Sequence, residues 1–245
     1  VLLCTSPGGA LFHKPDARWG APKAVVCLDV RLAGAGASPR SYLLTQLATL
    51  ACLEALNEEL YAATVAGLHY DLGPSVHGVL LSVDGFSHKL SKLAATVCEA
   101  FAALGTSDVD AEVYARVKSA LELRLANSGF DAATLATTTR QRALDAAMPS
   151  AEELTAELGA ASPAALRAHV RQMLDGGAHI AAYVGGNLDP AEARACFDGC
   201  VAALGAPPPL PASARLDEGC ARLVGGAHPV VALPAKNPAE TNCAV

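Results

Sequence analysis

Residues 23–59 read KAVVCLDVRLAGAGASPRSYLLTQLATLACLEALNEE. The first ten, Lys23 to Leu32, form a valine-rich apolar run bounded by Pro22 on one side and Gly34-Ala35-Gly36 on the other, the pattern of a strand. Ser38 then offers a side-chain cap and Pro39 a pre-set first helical residue, and nothing breaks a helix from Arg40 to about Ala66. Leu43, Leu44, Leu47, Leu50, Ala51 and Leu53 make the first half of that helix apolar almost all round, so it is expected to be buried. Glu54, Glu58 and Glu59 make the second half one-sided. A strand that runs straight into a long, half-buried helix calls for a sheet with helices packed on it.

The flanking sequence extends this pattern. Leu68–Leu72 and Val76–Val83 read as two strands about a Gly73-Pro74 turn, closed by Asp84-Gly85. Leu90, Leu93, Ala94, Val97 and Phe101 recur at helical spacing between Ser87 and Leu104, with Gly105 as the stop. Ser107 and Asp110 resemble a capping box that opens a helix to about Asn127. Helices are also expected at 131–147, 150–158, 163–174 and 189–204, with a strand over His179–Val184 between the last two. Pro207, Pro208, Pro209 and Pro211 mark a stiff connector. Two short apolar runs beyond it, Val230–Leu233 and Cys243–Val245, read as strands of a further unit. The order does not alternate as a doubly wound sheet would, and the fold class is α+β, a mostly antiparallel sheet packed by several helices. The expected division is an approach segment at 1–21, a domain at 22–204, a linker at 205–219 and the first strands of the next domain at 220–245.

A chain of 245 residues, 52% hydrophobic and 17% charged, can bury a sizeable core. Its net charge of -6 argues against nucleic acid and anionic membranes as partners. No uncharged stretch approaches the roughly 20 apolar residues of a spanning helix. Val1–Ala10 lacks a basic start and is broken by Pro7-Gly8-Gly9, unlike a secretory leader. The first residue is Val1 and the methionines are Met148 and Met173, so the chain is expected to be a piece of a longer protein. Eight cysteines, at 4, 27, 52, 98, 196, 200, 220 and 243, show no C-x-x-C pair and read as reduced thiols in an intracellular setting, cytoplasmic or in an organelle.

The constellations that could carry chemistry are sparse. Gly34 to Pro39 occupies the place of a dinucleotide loop, after a strand and before a helix, but Pro39 stands where the third glycine belongs. A nucleotide-binding α/β domain is therefore an alternative reading, and a capped turn the simpler one. The histidines at 13, 69, 77, 88, 169, 179 and 228 contain no pair four apart with a glutamate between, as a zinc peptidase helix needs. His69, His77 and His88 could meet only through folding. Cys196 and Cys200 share a helix face, which could offer two thiolates or simply two small apolar groups. Asn57, Glu58 and Glu59 read as a solvated face. No catalytic, metal or cofactor-binding residue is assigned.

Taken in order, several segments resemble one family. Pro22-Lys23-Ala24, Ser38-Pro39, Leu56-Asn57-Glu58, Tyr61-Ala62-Ala63 and Ala66-Gly67-Leu68 with Tyr70 resemble the third domain of the insulin-degrading enzyme, nardilysin and pitrilysin family. Gly78, Leu81-Ser82-Val83, Gly85-Phe86 and Lys89-Leu90 continue the pattern, as does Gly186-Asn187 before a helix. Leu11 to Asp16 resembles the approach to that domain, and Asn237-Pro238 through Asn242-Cys243 the opening strand of the fourth. Between Ala132 and Ala178 only helical composition is shared.

The resemblance implies a parent inverzincin-type zinc metallopeptidase whose two halves close around a chamber and degrade short peptides. This segment would be a non-catalytic structural domain of the second half, with no cofactor of its own and zinc held by H-x-x-E-H in the N-terminal half. Its partners would be the other domains of the same chain and the parent's peptide substrates, with a homo-oligomer possible. An interface domain of an inactive homologue or core subunit is the alternative. The buried half of the long helix generates a test: Leu47→Asp is expected to place an unpaired charge in the core and lower thermal stability by several kcal/mol, whereas an unchanged melting curve would show that the buried face is misassigned.

Overall fold

A computed structural model of the chain describes residues 1–145, 147–214, 221, 230–234, 236, 237 and 239. Its six strands are β1 (Leu2–Ser6), β2 (Gly9–Pro15), β3 (Lys23–Leu32), β4 (His69–Ser75), β5 (Gly78–Phe86) and β6 (Ala178–Gly186). They lie in one sheet in the order β1-β2-β6-β3-β5-β4. Every neighbouring pair is antiparallel except β2 with β6, which is parallel. The eight α-helices among the described residues are α1 (Pro39–Glu59), α2 (Tyr61–Val65), α3 (Ser87–Ala103), α4 (Ala111–Ala126), α5 (Ala132–Leu144), α6 (Ala151–Leu158), α7 (Pro163–Asp175) and α8 (Pro190–Ala203). The α+β class with a mostly antiparallel sheet is as the sequence implies.

Three helices start in the same way, with an oxygen-bearing cap followed by proline. Ser38 Oγ accepts from the amide of Ser41 at 3.1 Å, Ser162 Oγ from Ala165 at 3.2 Å, and Asp189 Oδ1 from Glu192 at 2.8 Å. Each cap satisfies an amide that the helix itself cannot, and the proline occupies a site with no amide to lose. In β3 the alternate residues Ala24, Val26, Leu28, Val30 and Leu32 are buried while those between them are half-buried or exposed. The buried set packs on α3, with α1 against β4 and β5 and α8 against β2 and β6, and α4, α6 and α7 pack on α1 as an outer layer. Leu43, Leu44, Leu47 and Ala51 are buried on α1 as expected, together with Ala48 and Cys52, while Leu50 and Leu53 are only half-buried against the core.

Several boundaries differ from the sequence reading. The long helix ends at Glu59 and Leu60 breaks it before the short α2, whereas unbroken helix was expected to Ala66. The hairpin turns at Val76-His77 instead of Gly73-Pro74. Pro74 is tolerated inside β4 because β4 is an edge strand, where an absent amide need leave no ladder bond unmade. Asp110 alone caps α4, accepting from Glu112 and Val113, and Ser107 takes no part. The segment at 1–21 was expected only to approach the domain, yet β1 and β2 are strands of its sheet. The Pro-rich segment after α8 also lies on the body. Ala178 donates to the Pro208 carbonyl at 2.8 Å, Leu210 donates to the Ala178 carbonyl at 2.8 Å, and Leu210 is buried. Val230–Leu233 lies outside the sheet, and Cys243–Val245 falls outside the described residues.

Two contacts fix how α1 sits. Gly36, in the turn before it, approaches the hairpin end so closely that a Cβ would stand 2.2 Å from the Val76 carbonyl oxygen. Further along, Thr45 Oγ1 lies 2.9 Å from Nε2 of His169 on α7, and burial pushes that imidazole down to about 4. An unfolded histidine takes its proton near pH 6.5, so between about pH 6.5 and 4 the unfolded state binds a proton that the folded state refuses. Stability is therefore expected to hold above pH 6.5 and to fall as the pH drops towards 4, by about 2–3 kcal/mol from this group. His169→Gln, compared with the native chain by urea unfolding at pH 7 and pH 4.5, should lose less stability on acidification, and parallel profiles would exclude this role. Gly36→Ala should cost about 1–3 kcal/mol at pH 7, because carbonyl and methyl cannot share the space. A calorimetric midpoint equal to that of the native chain would show that the turn yields freely.

Candidate functional site

The structure disperses the residues that the sequence singled out. Within Gly34–Pro39 the hairpin end closes on Gly36, with the Val76 carbonyl against it and the Leu32 amide bonded to the His77 carbonyl at 2.8 Å. A phosphate cradle needs converging amides at that place, and a carbonyl oxygen repels the anion. His69 and His77 stand at opposite ends of the β4–β5 hairpin, and His88 is exposed at the start of α3. His13 is buried, with Nε2 3.0 Å from the Leu188 carbonyl. His179 lies on β6, and His228 falls outside the described residues. Among the described residues, no group of three or more His, Cys, Asp or Glu is arranged to hold a metal ion.

Cys196 and Cys200 do share a face of α8, and that face is buried against α3 beside Cys98. The hydrogen bond to Cys200 and burial both push the Cys196 thiol upward. The Cys200 thiol is also raised: its bond to Cys196 lowers it, and the contact with Cys98 together with burial outweighs that. Burial alone takes Cys52 up to about 12. Thiols held this firmly protonated pack as small apolar groups and are neither nucleophiles nor ligands. Glu58 and Glu59 are exposed at the end of α1, as a solvated face should be.

Among the described residues no helix packs on the other face of the sheet, and the strand registers show what lies on it. Phe12 pairs with Tyr183, Tyr183 with Cys27, Cys27 with Ser82 and Ser82 with Asp71, so these five side chains form one row across β2, β6, β3, β5 and β4. The next row along the strands is Ala10, Ala181, Asp29, Leu80 and Gly73. The two rows enclose a shallow cavity of about 540 Å³. Phe12, Tyr183 and Leu80 are 47%, 41% and 48% exposed, so large apolar groups stand in water on a face where antiparallel sheets normally turn polar groups outward. Gly185 lets the Tyr183 ring lie along the sheet, since a Cβ there would come within 2.7 Å of the tyrosine hydroxyl. Asp29 is tied to Arg31 on its own strand at 2.9 Å, and Asp71 is exposed and makes no ion pair among the described residues.

The sequence reading did not find this face. Its signal was present in the alternation of β3 and β6, but the outward residues Cys27, Ala181 and Tyr183 are themselves apolar and merged with the inward ones into continuous hydrophobic runs.

Comparison with known proteins places this arrangement in context. Residues 1–157 match the family described as the middle or third domain of peptidase M16. The chain is 40% identical over 97 residues to insulin-degrading enzyme-like 1, peroxisomal, of Arabidopsis thaliana, covering 40% of this chain and 10% of that protein. It is 29% identical over 127 residues to the insulin-degrading enzyme of Homo sapiens, covering 52% and 12%. It is 31% identical over 93 residues to human nardilysin, covering 38% and 8%. The chain thus spans about a tenth of the length of these relatives. In fold it is similar to the crystal structure of pitrilysin, with a TM-score of 0.74 at 19% identity over 83% of this chain and 22% of that one. It is also similar to the peptidase M16 inactive domain from Pseudomonas fluorescens, with a TM-score of 0.61 at 18% identity over 89% and 53%.

Proposed function

Because the chain belongs to the peptidase M16 family, as its middle or third domain, we propose that it is a non-catalytic wall of a larger zinc metalloendopeptidase that degrades peptides in an enclosed chamber. The match to a middle domain over residues 1–157 carries this reading, and the likeness in fold to an inactive peptidase domain supports it. The residues do not fit a zinc ion, since the described part of the chain holds no cluster of ligands. In this reading zinc and the water-activating carboxylate belong to the N-terminal half of the parent. The present domain contributes shape, with the helices as the outer shell and the sheet as the inner surface.

The domain would run from β1 to α8, the segment at 205–219 would link it onward, and 220–245 would open the fourth domain. Its partners would be the remaining domains of the parent and the peptides enclosed between them. A reducing compartment inside the cell suits thiols such as Cys52, Cys98, Cys196 and Cys200, which lie buried in the core and form no disulfide. No helix among the described residues is long and apolar enough to cross a membrane. The likeness to an inactive domain also favours a second reading, in which the parent has lost its metal site and the domain builds an interface only.

Zinc content and cleavage of an internally quenched peptide, measured on the full-length parent and on the 245-residue chain, separate these readings. Zinc and cleavage in the parent with neither in the chain is the expected result. Neither in either protein would establish the inactive partner, and cleavage by the chain alone would overturn both.

A further inference from the structure

We propose that the bare face of the sheet binds an extended peptide through an apolar side chain at one end of the groove and a basic side chain at the other, an assignment that rests on the chamber-wall reading. The row from Phe12 to Asp71 crosses five strands, and four inter-strand spacings amount to about 19 Å. Six residues of extended chain cover about 20 Å at roughly 3.3 Å each, so one such segment reaches from the aromatic end to the acidic end. A small molecule cannot touch both ends, whereas an extended segment can.

The chemistry of the two ends differs. Phe12 and Tyr183 stand exposed at one end, and Leu80 extends that apolar wall towards the middle. At the other end stands Asp71, with Asp29 in the same groove already held by Arg31. The groove therefore keeps one carboxylate without a cationic partner, at the far end from its apolar anchors. Gly73 and Ala181 keep the floor low between them. A peptide with arginine or lysine about five residues from an aromatic or aliphatic side chain fills both ends at once. An acidic peptide would set like charges against each other.

The test uses a fluorescein-labelled octapeptide of serine and alanine carrying one arginine near its N-terminus and one phenylalanine five residues further on, and a twin with glutamate in place of the arginine. By fluorescence anisotropy the arginine peptide should bind the 245-residue chain at least about tenfold more tightly than its twin. Asp71→Asn should remove that difference, and Tyr183→Ser should weaken both peptides. Asp71 and Tyr183 are surface residues, and unchanged melting curves will show that the variants are folded. The arginine peptide should also slow alkylation of Cys27, which lies in mid-row, with Cys27→Ser identifying its signal. Equal binding of the twins, no effect of Asp71→Asn, or no binding at all would overturn the proposal. In the full-length parent, Cys27 that resists alkylation without peptide would show the face covered by another domain, which also overturns it. A parent that cleaves nothing while the chain still discriminates the twins would sink the chamber reading and leave the groove standing.

Discussion

Strand β3 is the constraint on which the molecule is built. It pairs over nearly its whole length with β5 on one side and β6 on the other, so its ten residues fix the register of both. Side chains alternate between the faces of a strand, and a slip of one residue would carry Val26, Leu28 and Val30 out of the core and bring Asp29 and Arg31 in. Burial of such side chains contributes about 1.5–3 kcal/mol each, and taking charged groups out of water opposes folding, so both faces of the strand enforce the same register. The helices follow from it. The turn at Gly34–Pro39 delivers α1 back onto the inward side, the hairpin end closes on that turn, and α3 lies across β3 and β5.

The same alternation accounts for the bare face. Helices on one side satisfy every inward residue, and no segment among the described residues crosses the other. What projects there from the two rows is apolar at β2 and β6 and acidic at β4, an uneven surface for water to cover. Among the described residues no group of side chains is arranged to hold a metal, and what this face offers is recognition through shape and a few placed charges. That division of labour suits a family in which one polypeptide carries several domains and this chain is the middle or third.

Local signals made about half of this legible. The cap-proline starts at Ser38, Ser162 and Asp189, the apolar first half of α1 and the uninterrupted run of β3 all act within a dozen residues, and the sequence displays them directly. Where the deciding partner is distant, the sequence is silent. Pro74 looks like a turn residue until β4 is known to be an edge, because only then can its missing amide be harmless. Residues 2–15 read as an approach segment because β2 finds its inner neighbour in β6, more than 160 residues away. The row from Phe12 to Asp71 draws on five strands, and no stretch of the chain contains more than two of its members in sequence order without a helix or strand between them.

The position of β6 has a consequence for how the chain is made. β2 and β3 are consecutive in sequence yet never touch as strands, since β6 lies between them. Until residue 186 has left the ribosome, the nascent chain can assemble a β1–β2 hairpin and a three-stranded β3–β5–β4 sheet, each with an open edge facing an empty slot. Pairings of such long sequence separation form slowly, and unpaired edges invite other chains. The stretch matched by the family ends at residue 157, before the strand that joins the two pieces. A product cut there would hold most of the recognisable sequence and only two unconnected fragments of the sheet.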